Sequence, residues 1–181
     1  MASLSSGPEY EKYKEARFFL NKMAESEGEE FNYYFSAFLS SSRSVTFHLQ
    51  KEYSGSDEFD SYYGNIRDIL SEEPVAAVMK ELRNYTEKEG VVDVVGQEET
   101  LPGVEVYDPR ELPYDRGNLP DYSEPTKVYH VLEMPDTVAT DVPDDLMEQF
   151  EENYEQNYIE IYCNAYLGLL FFILERNPEI H

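Results

Sequence analysis

Apolar side chains recur every three or four residues through the first half of the chain, which is the spacing that places them on one face of a helix. This periodicity predicts four helices, at about residues 9–26, 29–53, 58–72 and 74–89. Gly28 is expected to end the first helix and Asp57 to cap the third. Pro74 is expected to open the fourth helix, and Gly90 to end it.

The second half of the chain follows a different pattern. Seven of the ten prolines lie between residues 102 and 143, among short segments in which Val and Tyr alternate with acids: VVDVV, VEVY and KVYHVLE. We therefore predict an insertion at 91–143 with two or three short strands, in which residues 109–126 are the least structured. A long final helix is expected at 144–176, capped by Asp144 or Asp145.

These elements predict a mainly all-α fold, in which residues 1–181 form a single domain. It would be a bundle of four to five helices with a small β-containing insertion before the last helix. The apolar stretch IYCNAYLGLLFFIL in that helix is 14 residues long and contains Asn164. A membrane span needs about 20 residues, so we interpret the stretch as a buried core helix. The chain starts MASLSSGPEYEKYK, without the apolar region of a secretion signal, and a cytoplasmic location is expected.

The net charge of the chain argues against some classes of function. The 181 residues include 38 acids and 14 bases, for a net charge of −24. Such a surface repels phosphate, which argues against generic DNA binding and against anionic membranes. Ten of the bases lie in residues 1–90. If that half holds a functional surface, any electropositive site on it is local and lies within a negative field. Adaptation to high internal salt, mimicry of nucleic acid and a plain acidic surface all remain as explanations of the acidity.

The sequence does not contain the residues that several kinds of catalytic site require. There is one cysteine, Cys163, and the three histidines are scattered, so neither a disulfide within the chain nor a His/Cys zinc cluster is expected. No glycine-rich phosphate loop, HExxH, GxSxG or EF-hand loop occurs, and we expect no metal or other cofactor. Cys163 and His48 are interpreted as structural.

One group of polar residues suggests a binding site. The fourth predicted helix ends KELRNYTEKEG, in which Asn84 and Lys88 share a face while Arg83 and Lys88 stand about 140° apart. These three residues can flank a groove between helices, and an arginine beside a polar residue suits a phosphate. The alternative is that Arg83 and Asn84 only stabilise the bundle.

The segments FSAFLSSSRSVTFHLQKEY, FDSYYGNIRDIL and MKELRNYTEKEG together resemble the HEPN superfamily of helical bundles, over roughly residues 10–90. HEPN ribonucleases carry an Arg–polar–(three to five residues)–His motif near the end of this helix. Arg83 matches the arginine and Asn84 the polar residue, but Lys88 stands in the histidine position. Because lysine titrates about four units above histidine, Lys88 beside Glu87 and Glu89 would be a poor base.

The resemblance implies a non-catalytic HEPN-like protein that binds RNA, a nucleotide or a protein partner through Arg83, Asn84 and Lys88. One alternative is a metal-independent endoribonuclease that uses the same three residues, as the toxin of a pair with a nucleotidyltransferase-type antitoxin. Another is an acidic interaction or mimic protein that works through residues 91–145. The resemblance also implies a homodimer formed through the fourth helix, and tyrosines of the second and third helices favour an interface: Tyr33, Tyr34, Tyr62 and Tyr63.

Overall fold

The computed structural model describes residues 7–99, 128–155 and 157–177. Within these ranges the chain forms seven helices and two strands, which confirms the mainly all-α fold. In chain order they are α1 (Pro8–Ala24), α2 (Gly28–Tyr53), α3 (Asp57–Glu72), α4 (Pro74–Lys88), β1 (Val94–Glu99), β2 (Val128–Leu132), α5 (Asp136–Asp141), α6 (Asp144–Asn153) and α7 (Ile159–Glu175).

The first four helices lie within two residues of their predicted bounds. Two predicted boundaries of α4 are found: Pro74 occupies its first turn, and Gly90, with φ 110°, follows its end. Gly28, which was predicted to end α1, is instead the first residue of α2, with φ 57°, and α1 ends at Ala24. The cap of α3 was predicted one residue too late, because the Ser56 hydroxyl, not Asp57, accepts the N–H of Phe59 at 3.2 Å. At α6 the residue before the helix is Pro143, and the two predicted caps lie in its first turn.

α7 is the centre of the core. All but three of its 17 residues are buried, and α7 packs against α1, α2, α4 and β2. Because the connection between α1 and α2 is only three residues long, these two helices pack side by side as an antiparallel pair. The 14-residue apolar stretch is therefore a core helix, as predicted. None of the helices in the described ranges is long and apolar enough to cross a membrane.

The prediction of a single final helix at 144–176 was wrong, because two helices, α6 and α7, occupy this part of the chain. The chain leaves the helical path between α6 and α7, where Asn157 adopts a left-handed φ of 53°. The Asn157 side chain donates a hydrogen bond to the Leu132 carbonyl, and Tyr158 forms a β-bridge with Val131. Contacts with β2 thus replace the helical hydrogen bonds that the periodicity of the sequence predicted.

In the described part of the predicted insertion, the chain forms one antiparallel pair of strands and a short helix. β1 pairs with β2, with Glu99 opposite Val128 and an irregularity between Val94 and Gly96. The helix α5 was not predicted, because six residues are too few to show a periodicity. The predicted strand VEVY and the segment 109–126 lie outside the described residues.

Candidate functional site

A pocket of about 470 Å³ opens between α2, α3 and α4, with the α5–α6 connection and α7 forming its other walls. Each of the helices α2, α3 and α4 contributes residues three or four apart, so one face of each of these helices lines the pocket. On α2 these are Arg43, Thr46 and Gln50, and on α3 they include Tyr63, Arg67 and Leu70.

The α4 wall contains part of the predicted site. Arg83 and Asn84 line the pocket, together with Lys80 and Glu81 one turn earlier. Lys88 is not among the lining residues; it is exposed at the end of α4, one turn beyond Asn84. The structure thus brings two of the three predicted residues to one pocket and leaves the third outside it.

Four cationic side chains converge on this pocket: Arg43, Arg67, Lys80 and Arg83. We call it the cationic pocket. Two carboxylates, Glu81 and Asp141, also line it, so four positive charges face two negative ones, a local net charge of about +2 when all are ionised. This is the reverse of the whole chain, whose net charge is −24.

The four cations differ in their partners. Arg83 donates to Glu87 at 2.8 Å, and Lys80 pairs with Glu81 at 2.9 Å. Arg43 donates to the Thr46 hydroxyl at 2.6 Å. In the described part of the chain neither Arg43 nor Arg67 forms an ion pair. Two arginines without a carboxylate partner, in so acidic a protein, leave guanidinium groups available to an external anion.

Glu81 orients part of the α4 wall. Its carboxylate accepts Asn84 Nδ2 at 3.0 Å as well as Lys80 Nζ. Burial by itself raises the pKa of the Glu81 carboxyl, but the hydrogen bonds from Lys80 and Asn84, together with the charges of Lys80 and Lys88, outweigh that effect and the net pKa is lowered. Glu81 is therefore ionised near neutral pH, and it fixes the amide of Asn84 at the pocket wall.

Two tyrosines lie on the inner side of the pocket. Gln50 donates to the Tyr63 hydroxyl, and Tyr63 is 8% exposed. Burial raises the pKa of the Tyr166 phenol to about 12, with Arg43 and Arg83 acting in the opposite direction. Tyr166 therefore keeps its proton near neutral pH and can donate a hydrogen bond to an anion.

A second polar cluster, which the sequence did not reveal, lies in the core. Glu160 on α7 contacts Nδ1 of His130 on β2 and accepts the His130 backbone N–H at 3.0 Å. His130 Nε2 donates to the Ser26 carbonyl at 2.9 Å, and the ring stacks on Phe31 with centroids 4.0 Å apart. Both side chains are at most 1% exposed. The pair thus links β2, α7 and the α1–α2 connection.

Cys163 and His48, interpreted from the sequence as structural, both lie outside the cationic pocket. Cys163 is buried, and burial raises the pKa of its thiol well above the usual value, which suits packing and not nucleophilic attack. His48 is half-buried on α2 beside Phe47. Across residues 7–99, 128–155 and 157–177, no three His, Cys, Asp or Glu side chains are grouped as a metal ion would require.

Part of the chain is similar to a known protein family. The family model described as bacteriophage lambda protein ea47 matches residues 18–98, a stretch from the middle of α1 to β1. All four cations of the cationic pocket lie within the matched stretch, whereas Tyr166 lies outside it. No curated protein and no solved structure matches significantly. The match covers less than half of the chain, and its description mentions no activity.

Proposed function

We propose that this chain is a non-catalytic HEPN-like protein that binds a phosphate-bearing ligand, RNA or a nucleotide, in the cationic pocket. The observation that carries the proposal is the convergence of Arg43, Arg67, Lys80 and Arg83 from three helices of a strongly acidic chain. Positive charges this close repel one another, and a bound anion offsets that repulsion.

The chemistry of the pocket suits a phosphate. Guanidinium groups offer paired N–H donors that match the oxygens of phosphate, and hydrogen bonds to such groups are among the stronger ones in proteins. Asn84 and the protonated Tyr166 hydroxyl add neutral donors at the wall. Apolar residues beside them, Leu70 and Val142 among them, offer a surface for a sugar or base.

Binding without cleavage follows from the lack of a proton-transfer group. The residues that line the pocket include no histidine, and Glu81 is held by Lys80 and Asn84. Tyr166 keeps its proton far above neutral pH. Lys88, which stands where HEPN ribonucleases have histidine, lies outside the pocket. Among the described residues that line the pocket, histidine, the usual general base near neutral pH, does not occur.

Binding is tested by fluorescence anisotropy with labelled single-stranded RNA and with nucleotides at low salt. Replacement of one pocket arginine, Arg67→Gln, should weaken binding about tenfold or more, because charge-assisted hydrogen bonds contribute about 1.5–3 kcal/mol each. The matched control is Arg17→Gln, since Arg17 lies on α1 outside the pocket. Equal affinities for the wild type and Arg67→Gln would contradict the proposed site.

The absence of catalysis has its own test. We expect the purified protein to cleave RNA, with a metal chelator present, no faster than Arg83→Ala does. Lys88→His restores a side chain that exchanges protons near neutrality, and a gain of cleavage in this variant supports the HEPN-like reading. Metal-independent cleavage by the wild type that disappears in Arg83→Ala would instead establish the endoribonuclease.

A further inference from the structure

Buried residues form part of the floor of the cationic pocket. Tyr63 and Leu146, each 8% exposed, belong to the core and line the pocket at the same time. Residues from α2, α3, α4, the α5–α6 connection and α7 form the surrounding walls. The cations on these walls can therefore approach one bound anion from several helices.

One exposed carboxylate lies among the cations of the pocket. Asp141 lines the pocket and is exposed. The chain as a whole carries a net charge of −24. Phosphates on both sides of a bound internal phosphodiester would approach this acidic surface and be repelled. A single phosphate at the end of a ligand avoids this repulsion.

The charge of the pocket points to the same kind of ligand. Four cations and two carboxylates line it, and Glu81, the less exposed carboxylate, is ionised near neutral pH. A phosphomonoester carries about −1.5 to −2 charges at pH 7 and presents three oxygens as acceptors. A phosphodiester has only two such oxygens and one charge. The monoester thus matches the local charge of about +2 more closely.

We propose that the cationic pocket binds the terminal phosphomonoester of its ligand, on an RNA end or on a free nucleotide, in preference to an internal phosphodiester. This inference rests on the proposed function. Arg43 and Arg67 contact the phosphate from α2 and α3, and Arg83 contacts it from α4. The Tyr166 hydroxyl donates to one of the terminal oxygens.

The test compares RNAs of one sequence that differ only at their ends. Anisotropy is measured for labelled strands with a 5′-phosphate, with a 3′-phosphate, and with hydroxyl groups at both ends, the label always at a fixed internal position. A phosphorylated strand should bind about tenfold or more tightly than the hydroxyl strand. That preference should disappear in Arg67→Gln and in Arg43→Gln, and persist in Arg17→Gln.

Competition identifies the source of the phosphate. A nucleoside monophosphate that displaces the strand, where the nucleoside does not, supports a free nucleotide as ligand. Preference for the phosphorylated strand without displacement by the monophosphate supports an RNA end. The comparison of strand ends uses the wild-type protein, so it holds even if an arginine variant fails to fold.

The binding measurements distinguish failure of the terminal-phosphate inference from failure of the proposed function. Equal binding of phosphorylated and hydroxyl strands, weakened in both cases by Arg67→Gln, overturns the preference for a terminal phosphate but leaves the proposed binding function in place. Lack of binding to every strand and nucleotide overturns the proposed function, and the terminal-phosphate inference with it.

Discussion

At the scale of single residues, His130 and Glu160 join segments that are far apart in sequence. The carboxylate contacts Nδ1 and the backbone N–H of His130, while Nε2 donates to the carbonyl of Ser26. All of these groups lie in the core, where an unmatched charge is expensive. Each of the two side chains therefore depends on the other for a hydrogen-bond partner in the core.

We predict that His130→Leu destabilises the protein by about 3–5 kcal/mol, because it leaves the Glu160 carboxyl buried without its partner. Glu160→Gln should cost clearly less, since the amide of glutamine can donate to Nδ1 and accept the backbone N–H. Urea unfolding monitored by circular dichroism measures both losses. His48→Leu is the control, since His48 is only half-buried. A His130→Leu variant as stable as His48→Leu would show that the pair contributes little.

The candidate site was predictable only in part. Arg83 and Asn84 stood out because they are adjacent and match a local motif. Arg43, Arg67 and Lys80 were not predicted, since they lie on three helices and only packing brings their side chains together. His130 and Glu160 are 30 residues apart, and nothing local distinguishes them from a surface histidine and a surface acid.

At the scale of elements, the sequence predicted both ends of α4, where a backbone constraint acts locally. Pro74 and Gly90 bound α4 for this reason. The break between α6 and α7 has no such signal, because a side-chain hydrogen bond and a β-bridge to β2 create it. Tertiary contacts can outweigh local helix propensity, and they do so between α6 and α7.

Two glycines test this distinction between backbone constraint and helix propensity. Gly90 has φ 110°, a conformation that disfavours any side chain, whereas Gly64 lies inside α3 in open space. We predict that Gly90→Ala destabilises the protein by about 1 kcal/mol or more. Gly64→Ala should stabilise it by about 0.5–1 kcal/mol, because alanine loses less backbone entropy in a helix. Thermal unfolding measures both, and shifts of the same sign would contradict the argument.

At the scale of the whole molecule, the fold class followed from helical periodicity, but the evidence for a dimer has changed. Of the four tyrosines that favoured an interface, Tyr63 is buried and only Tyr33 is largely exposed, at 64%. Tyr34 and Tyr62 pack partly against the core. The aromatic argument for an interface therefore now depends on one residue, and the homodimer stays a prediction that the HEPN resemblance motivates.

Net charge is the other property of the whole molecule. In the described ranges, lysine and arginine form ion pairs with five carboxylates, each at most four residues away in sequence: Glu11, Glu15, Glu25, Glu81 and Glu87. Local pairs of this kind contribute little to stability, about 0.3–0.5 kcal/mol each. They leave most of the excess of 38 acids over 14 bases uncompensated, so the compact state repels itself.

We therefore predict that the melting temperature rises between low and molar potassium chloride. The Debye length falls from about 10 Å at 0.1 M to about 3 Å at 1 M, which screens repulsion between exposed carboxylates. Calorimetric scans across that range measure the effect. Arg67→Gln is an informative companion, because removal of a pocket cation should leave the overall rise in place. A melting temperature that stays flat or falls with salt would mean that the carboxylates are already engaged, and would favour the acidic mimic over an acidic surface that surrounds an anion site.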